Sequence, residues 1–329
     1  MRVGIIGATG LVGRTTLKIL EERDFPVSEL ILFASERSAG ERIRFRDTEI
    51  EVSTIPENWD LLADVFFCSV SDDLTRPILE GYTGEAWIID KSKVFRMDPA
   101  VPLVVPEVNG DILKSTSSKI IANPNCTTIP FVMATDAVRK VVQPVRIVAT
   151  ALQSASGAGK DALAELRLQR EYLAVGQEVP DEAKEVYSRI LSSNLIPQIG
   201  SFDKSGESSE ERKLRAESRK ILDDAKLSIH GTCVRVPVEV GHSLSVTFIF
   251  SEEVSIKKVE RSLASYKGIS YHSGEDCFTP AQAEGRDEVY CSRLRPSPED
   301  GKVLHLWITT DNLRKGAALN AVQIAEILA

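Results

Sequence analysis

The sequence predicts an α/β domain followed by an α+β domain, and three observations support that expectation. The first third alternates short apolar strands with helical patterns, which implies a mostly parallel sheet wrapped by helices. From about residue 144 the strands lengthen and are joined by tight turns, as in an antiparallel or mixed sheet with helices on one face. The chain has 329 residues, more than one ordinary core supports, so two domains are expected.

In the first domain, residues 2–6, 30–34, 64–70, 86–90 and 120–121 read as strands, and 11–23 and 72–81 as helices. Segments 42–46 and 49–53 read as a small antiparallel insertion. In the second, strands are expected at 144–153, 227–238, 243–251, 287–294 and 302–310, and helices at 157–175, 209–225 and 255–267. Residues 200–209 form a polar loop, and 314–328 an alanine-rich amphipathic helix.

Bulk composition narrows the function. Hydrophobic residues make up 43% and charged residues 27%, the balance of a globular protein. A net charge of −8 argues against nucleic acid as a partner. The opening Met-Arg-Val-Gly-Ile-Ile-Gly is too short and glycine-rich for a signal sequence, and no run of about 18 apolar residues predicts a membrane span. The five cysteines are scattered, without a C-x-x-C pair, and the four histidines lack metal-ligand spacing. Free thiols in a reducing cytoplasm, with no metal, are the expectation.

Gly7-Ala8-Thr9-Gly10-Leu11-Val12-Gly13 closes the first strand and opens the first helix. Glycines there permit a tight turn and close approach of backbone to a pyrophosphate at the helix N-terminus. The context predicts a Rossmann-like dinucleotide site. At the end of the second strand, Arg37 with Ser38 suggests a 2′-phosphate and hence NADP, whereas Glu36 leaves NAD open. The turn Gln153-Ser154-Ala155-Ser156-Gly157-Ala158-Gly159-Lys160 superficially resembles a P-loop. It lacks the first glycine and carries Asp161 in place of the hydroxyl residue, so a turn bringing Gln153 and nearby backbone to a ligand is expected instead.

Cys126, in Asn123-Pro124-Asn125-Cys126-Thr127-Thr128, lies between a short apolar strand and a long helical pattern. Unpaired N–H groups and partial positive charge at a helix N-terminus favour a thiolate, the nucleophilic form of cysteine. Small apolar packing is the plain alternative. Ser208 and Glu211 match a capping box, and Glu210 with Lys213 an ordinary helix-surface pair. Arg235 and His242 flank a break between two long strands; with Cys126 they would supply an anion clamp, a proton shuttle and a nucleophile. Arg96 follows a sheet strand, near the carboxyl ends where α/β sheets bind ligands.

Jointly, these motifs resemble the bacterial type of aspartate-β-semialdehyde dehydrogenase. The resemblance runs the whole length and includes Lys315-Gly316-Ala317-Ala318-Leu319-Asn320. It implies NADP-linked reduction of L-4-aspartyl phosphate to L-aspartate 4-semialdehyde with release of phosphate. That step serves lysine, threonine, methionine and diaminopimelate biosynthesis. It further implies that Cys126 forms a thioester, His242 is the acid–base residue and Gln153 orients the substrate. Arg235 would hold the substrate carboxylate, Glu210 its ammonium group, and Arg96, Asn125 and Lys213 the phosphate. Gly7, Thr9, Gly10, Leu11, Val12, Gly13, Arg37, Ser38, Ser156, Gly157 and Asn320 are the implied cofactor residues.

The same resemblance implies domains at 1–126 with 312–329 and at 127–311, the last helix returning to the first domain. The second domain would pair subunits into a homodimer, with a tetramer as the larger alternative. Lys91 and Lys93 stand where the family commonly has Asn and Ser, and at least one is expected to face water. The rival enzyme is N-acetyl-γ-glutamyl-phosphate reductase, which shares the cysteine chemistry. Asn-Pro-Asn-Cys and the carboxylate of Glu210, suited to a free amine, favour the aspartyl enzyme. A catalytically silent relative is the non-enzymatic alternative, but Cys126, Gln153, Arg235 and His242 are all present.

Overall fold

A computed structural model describes residues 1–187, 189–275 and 277–329. The chain forms two compact units, Met1–Asn125 with Ala317–Ala329, and Cys126–Gly316.

The first unit is built on a seven-stranded sheet. Its elements are β1 (Arg2–Ile6), α1 (Leu11–Glu22), β2 (Glu29–Phe33), β3 (Arg42–Phe45), β4 (Thr48–Ser53), β5 (Val65–Cys68), α2 (Asp72–Leu79), β6 (Trp87–Asp90), α3 (Pro106–Asn109) and β7 (Ile120–Ala122). Strand order is β3-β4-β2-β1-β5-β6-β7, parallel except for the antiparallel β3–β4 pair expected as an insertion. All four residues of β5 are buried, as helix-covered parallel strands require. β1 lies between β2 and β5, so the strand order reverses there and the glycine turn sits at the switch point where such sheets bind ligands.

The C-terminal helix Leu319–Leu328 belongs to this unit and joins its core through Leu319, Val322 and Ile324. It is less amphipathic than its sequence suggests. Six of its first seven residues are buried, because it fills a groove in the core instead of lying on the surface. Its first turn is a π-helix, Arg314–Ala318.

The second unit contains α4 (Thr128–Arg139), β8 (Arg146–Gln153), α5 (Lys160–Ala174), α6 (Ser209–Ile221), β9 (Ser228–Arg235), β10 (His242–Ile249), α7 (Ile256–Ser265), β11 (Ile269–His272), α8 (Pro280–Ala283), β12 (Val289–Pro296) and β13 (Val303–Thr310). Its mixed sheet runs β11-β12-β13-β10-β8-β9. Short β11 was not legible in the sequence. The segments at 227–238 and 243–251 are strands as expected, successive in the chain but not paired, because β8 lies between β9 and β10. Residues 236–241 therefore cross the end of β8. Along β8 exposed and buried residues alternate, so one sheet face packs on helices and the other is open.

The unit boundaries differ slightly from those read in the sequence. Cys126 and residues 312–316 lie with the second unit. Asn312 is tied there to Ser154, Ser156 and Gly241, and Arg314 to Asp287.

Candidate active site

Three strand ends meet because β8 is inserted between β9 and β10. Gln153 ends β8 in register with Arg235, the last residue of β9, while Ser243 of β10 pairs with Leu152 and brings His242 alongside. Cys126 lies in the turn just before α4, two residues from its first helical residue. Its Sγ is 3.2 Å from His242 Nε2, within hydrogen-bond reach. The pairing converts a cysteine of suggestive address into one with a polar partner at the sulfur.

Glu210 and Lys213 are not an ordinary surface pair. Glu210 is buried and accepts hydrogen bonds from Gln153 Nε2 at 3.1 Å and Lys213 Nζ at 2.9 Å. A carboxylate taken out of water needs such partners, and removing one from a buried pair costs about 3–5 kcal/mol. The capping box is present as well: Ser208 Oγ accepts from Glu211 N–H, and the Glu211 side chain accepts from Ser208 N–H. The cap starts the helix, and the next turn of side chains builds the site.

Arg235 is buried and donates from Nη1 to the Ser154 carbonyl at 2.6 Å. It also lines a cavity of about 270 Å³ with Tyr187, Ile196 and Gln198, among others. Gly157 is required beside it. A Cβ there would lie 3.0 Å from the His242 ring and 3.1 Å from Arg235 Nη1. Gly316 plays a similar part at Cys126, where an added Cβ would come within 3.3 Å of the Cys126 Cβ.

His242 is wholly buried, and its pKa is pulled down to about 3, chiefly by loss of water and secondarily by the charge of Arg235. The ring is therefore neutral at physiological pH. Two residues behind it, Ser154 and Asn312, were not singled out as functional in the sequence. The available signal was position, since Asn312 follows the end of β13, where Thr310 pairs with His242.

In the first unit, the glycine turn has the geometry of a nucleotide cradle. Gly7 has φ +88°, and a Cβ on Gly13 would lie 2.2 Å from the Gly7 carbonyl oxygen. Gly10 is the N-cap of α1 and provides no side-chain cap, so the N–H groups of Leu11, Val12 and Gly13 stay available to an anion. Thr9 Oγ1 donates to Ser38 Oγ at 3.5 Å, and Arg37 is exposed beside it in sequence on a 3₁₀ turn. These residues fit a dinucleotide.

The other expected site residues are placed differently. Ser156 is buried and bonded to Asn312, and its N–H is spent on Glu239, whereas Gly157 is exposed. Asn320 is fully buried, with Nδ2 donating to Val104 O and Asn123 Oδ1. Arg96 is buried and donates to the Lys91 carbonyl; Asn125 is buried at the end of the first unit. Lys93 faces water and pairs with Asp72. Lys91 turns inward, donating to Thr16 Oγ1 at 2.7 Å over the Phe67 ring, and burial lowers its pKa to about 7.

The chain is similar over its length to proteins of one known family. Residues 2–116 match the family described as semialdehyde dehydrogenase, NAD binding domain, and 136–315 match semialdehyde dehydrogenase, dimerisation domain. An aspartate-semialdehyde dehydrogenase of Aquifex aeolicus is 40% identical over 99% of this chain and 97% of its own. The crystal structure of Vibrio cholerae aspartate semialdehyde dehydrogenase II complexed with ASA superposes with a TM-score of 0.94, at 38% identity over 99% of this chain and 97% of that one. The Candida albicans enzyme with NADP, 22% identical over 99% of this chain and 98% of that one, shares the fold with a TM-score of 0.75. From its two matched domains and its full-length relatives, the chain belongs to the aspartate-semialdehyde dehydrogenase family.

Proposed function

We propose that this chain is an NADP-dependent, phosphorylating aspartate-semialdehyde dehydrogenase working through a thioester on Cys126. The observation that carries the proposal is the 3.2 Å approach of Cys126 Sγ to His242 Nε2, beside the Gln153–Glu210–Lys213 cluster. When bound, the dinucleotide supplies or accepts a hydride. Gly7, Thr9, Gly10, Leu11, Val12 and Gly13 hold its pyrophosphate, and Arg37 with Ser38 selects the 2′-phosphate.

Cys126 attacks the acyl carbon and expels phosphate, a good leaving group, while His242 handles charge at the sulfur. Gln153 orients the substrate, Arg235 holds its carboxylate and Glu210 its ammonium group. Arg96, Asn125 and Lys213 are assigned to phosphate. Fixing a substrate at both charged ends lowers the entropic barrier to attack. Gly157 remains a cofactor contact through its exposed backbone. Ser156 and Asn320, whose side chains are bonded within their own units, act as supports.

A homodimer fits the open sheet face, where Val148, Thr150, Ser245 and Thr247 stand in one cross-strand patch. No helix of the described residues is long and apolar enough to cross a membrane. We assign the enzyme to the cytoplasm.

The test is reduction of NADP⁺ by L-aspartate 4-semialdehyde, with and without phosphate, repeated with NAD⁺. Strict dependence on phosphate and preference for NADP⁺ are expected. Replacing Arg37 by Ala should narrow that preference by about 10- to 100-fold, the value of a charge-assisted contact. Turnover of N-acetylglutamate semialdehyde instead would overturn the assignment.

A further inference from the structure

Lys91 follows the last residue of β6, and its side chain crosses β5 to reach α1. Its backbone N–H donates to the Cys68 carbonyl at 3.0 Å, and Nζ stands 5.7 Å from the centre of the Phe67 ring. Nζ meets Thr16 Oγ1 at 2.7 Å, and the same Oγ1 is 2.8 Å from the Val12 carbonyl oxygen. A carbonyl only accepts and an ammonium only donates, so the hydroxyl donates to Val12 and accepts from Lys91. Val12 and Thr16 are about one helical turn apart. Lys91 is thus tied, through one side chain, to a residue whose own N–H stays available to an anion.

We infer that Lys91 belongs to the dinucleotide site as an electrostatic partner of the pyrophosphate, and that cofactor binding makes its amine take up a proton. This role deepens the proposed function and rests on the Gly7–Gly13 turn as the cofactor's cradle. The charge around Nζ points the same way. Among the described residues no carboxylate oxygen lies within 4 Å of it, and Thr16 Oγ1 is its one hydrogen-bond partner. A cation taken out of water without an anion is costly, and an anion arriving nearby relieves that cost. A pyrophosphate at the first turn of α1 is such an anion.

Charged groups on the neighbouring elements do not replace it. Asp90, the residue before Lys91, turns its carboxylate to the Ser92 N–H and Oγ at 2.9 and 2.8 Å, and Arg96 offers it positive charge. The Cys68 thiol on β5 is pushed up to about 12 by burial and stays neutral. On α1, Arg14 and Lys18 are exposed and pair with Glu41 and Glu22. On the C-terminal helix, Glu326 is exposed and pairs with Arg23; on α2, Asp72 pairs with Lys93.

Burial therefore outweighs Cys68 and Asp90, and the Lys91 pKa falls to about 7. In the free chain the amine is near its midpoint at neutral pH. An anion on the cradle favours the ammonium and raises that pKa, so affinity must fall as pH climbs from the free value through the bound one. The proton comes from water or buffer, and no other bond forms or breaks.

Titration calorimetry of the full chain with NADP⁺ tests this without turnover. At pH 7.5, in buffers of different ionisation enthalpy, wild type should take up more protons than Lys91→Met. The difference is the quantity that counts, because the 2′-phosphate, with a pKa of about 6, titrates in both proteins. For a one-unit rise in the Lys91 pKa, the wild-type dissociation constant should increase about 4-fold from pH 7 to pH 8.5. Lys91→Met should bind about 5-fold more weakly at pH 7, and the two curves should converge by pH 9. Lys91→Arg, charged throughout, should retain the pH 7 affinity without the decline, and it guards against a misfolded Met variant. A lysine that only braces α1 would lower the melting temperature of Lys91→Met and leave the two pH curves parallel. That result, or equal proton uptake by the two proteins, would overturn the inference and leave the cofactor assignment standing. Failure of wild type to bind either NADP⁺ or NAD⁺ would overturn both.

Discussion

Two glycine-rich turns, each leading from a strand into a helix, are put to opposite uses. In the turn after β1, the N–H groups of Leu11, Val12 and Gly13 have no acceptor among the described residues. In the turn after β8, the N–H groups of Ser154, Ala155, Ser156, Gly157 and Gly159 are all spent, on His242, Val238, Glu239, Ser154 and Ser156 respectively. The first turn keeps its donors for a ligand. The second uses them to build a scaffold behind His242 and Arg235. The lesson is that a glycine turn is identified by where its N–H groups go, and spacing alone does not reveal that.

Substitutions that add one methyl group to each turn should break them differently. Gly13→Ala should have the larger effect, because its Cβ would meet backbone, the Gly7 carbonyl oxygen, at 2.2 Å. Overpacking of that kind costs about 1–3 kcal/mol. We expect lower thermal stability and a marked loss of NADP⁺ affinity, measured by calorimetry, while Cys126 alkylation is retained. Gly157→Ala meets movable side chains at 3.0–3.1 Å, His242 and Arg235. It should lower kcat by about 10- to 100-fold through misplacement of these two side chains, with stability nearly unchanged. If Gly157→Ala instead abolished cofactor binding and spared kcat, the second turn would be a cradle too.

The smallest effect concerns pH. The pKa of His242 in the folded protein, about 3, lies below the ordinary value of 6.5, so between these values the unfolded chain binds more protons. Folding stability must therefore fall as pH drops through that window. The melting temperature should decline from pH 7 to pH 5, and His242→Gln should flatten that decline. An unchanged slope in the variant would mean that another group carries it.

Much of this was legible in the sequence because local rules dominate in the first unit. Strand–turn–helix alternation and Gly7–Gly13 locate the cradle before any coordinates. Cys126, His242 and Arg235 were legible as residue types, but their meeting depends on β8 lying between β9 and β10. That long-range pairing leaves no periodic signal. The capping box at Ser208 and Glu211 was legible for the same local reason, whereas burial of Glu210 against Gln153 was not. Asn312 is the sharpest case. Its place just after β13 is the one local mark it carries, and its bonds go to Gly241, Ser154 and Ser156, all distant in sequence. Lys91 shows the reverse: an exposed-looking loop lysine is drawn under α1 by Thr16 and Phe67.

The proposed chemistry rests on a nucleophile at Cys126 in the second unit. Its most direct measurement is mass spectrometry of the protein mixed with L-4-aspartyl phosphate in the absence of NADPH. A single aspartyl adduct, mapped to the Cys126 peptide, released by hydroxylamine and absent from Cys126→Ala, is the predicted result. Turnover with full phosphate dependence but no adduct at Cys126, or a Cys126→Ala variant retaining the wild-type rate, would contradict it.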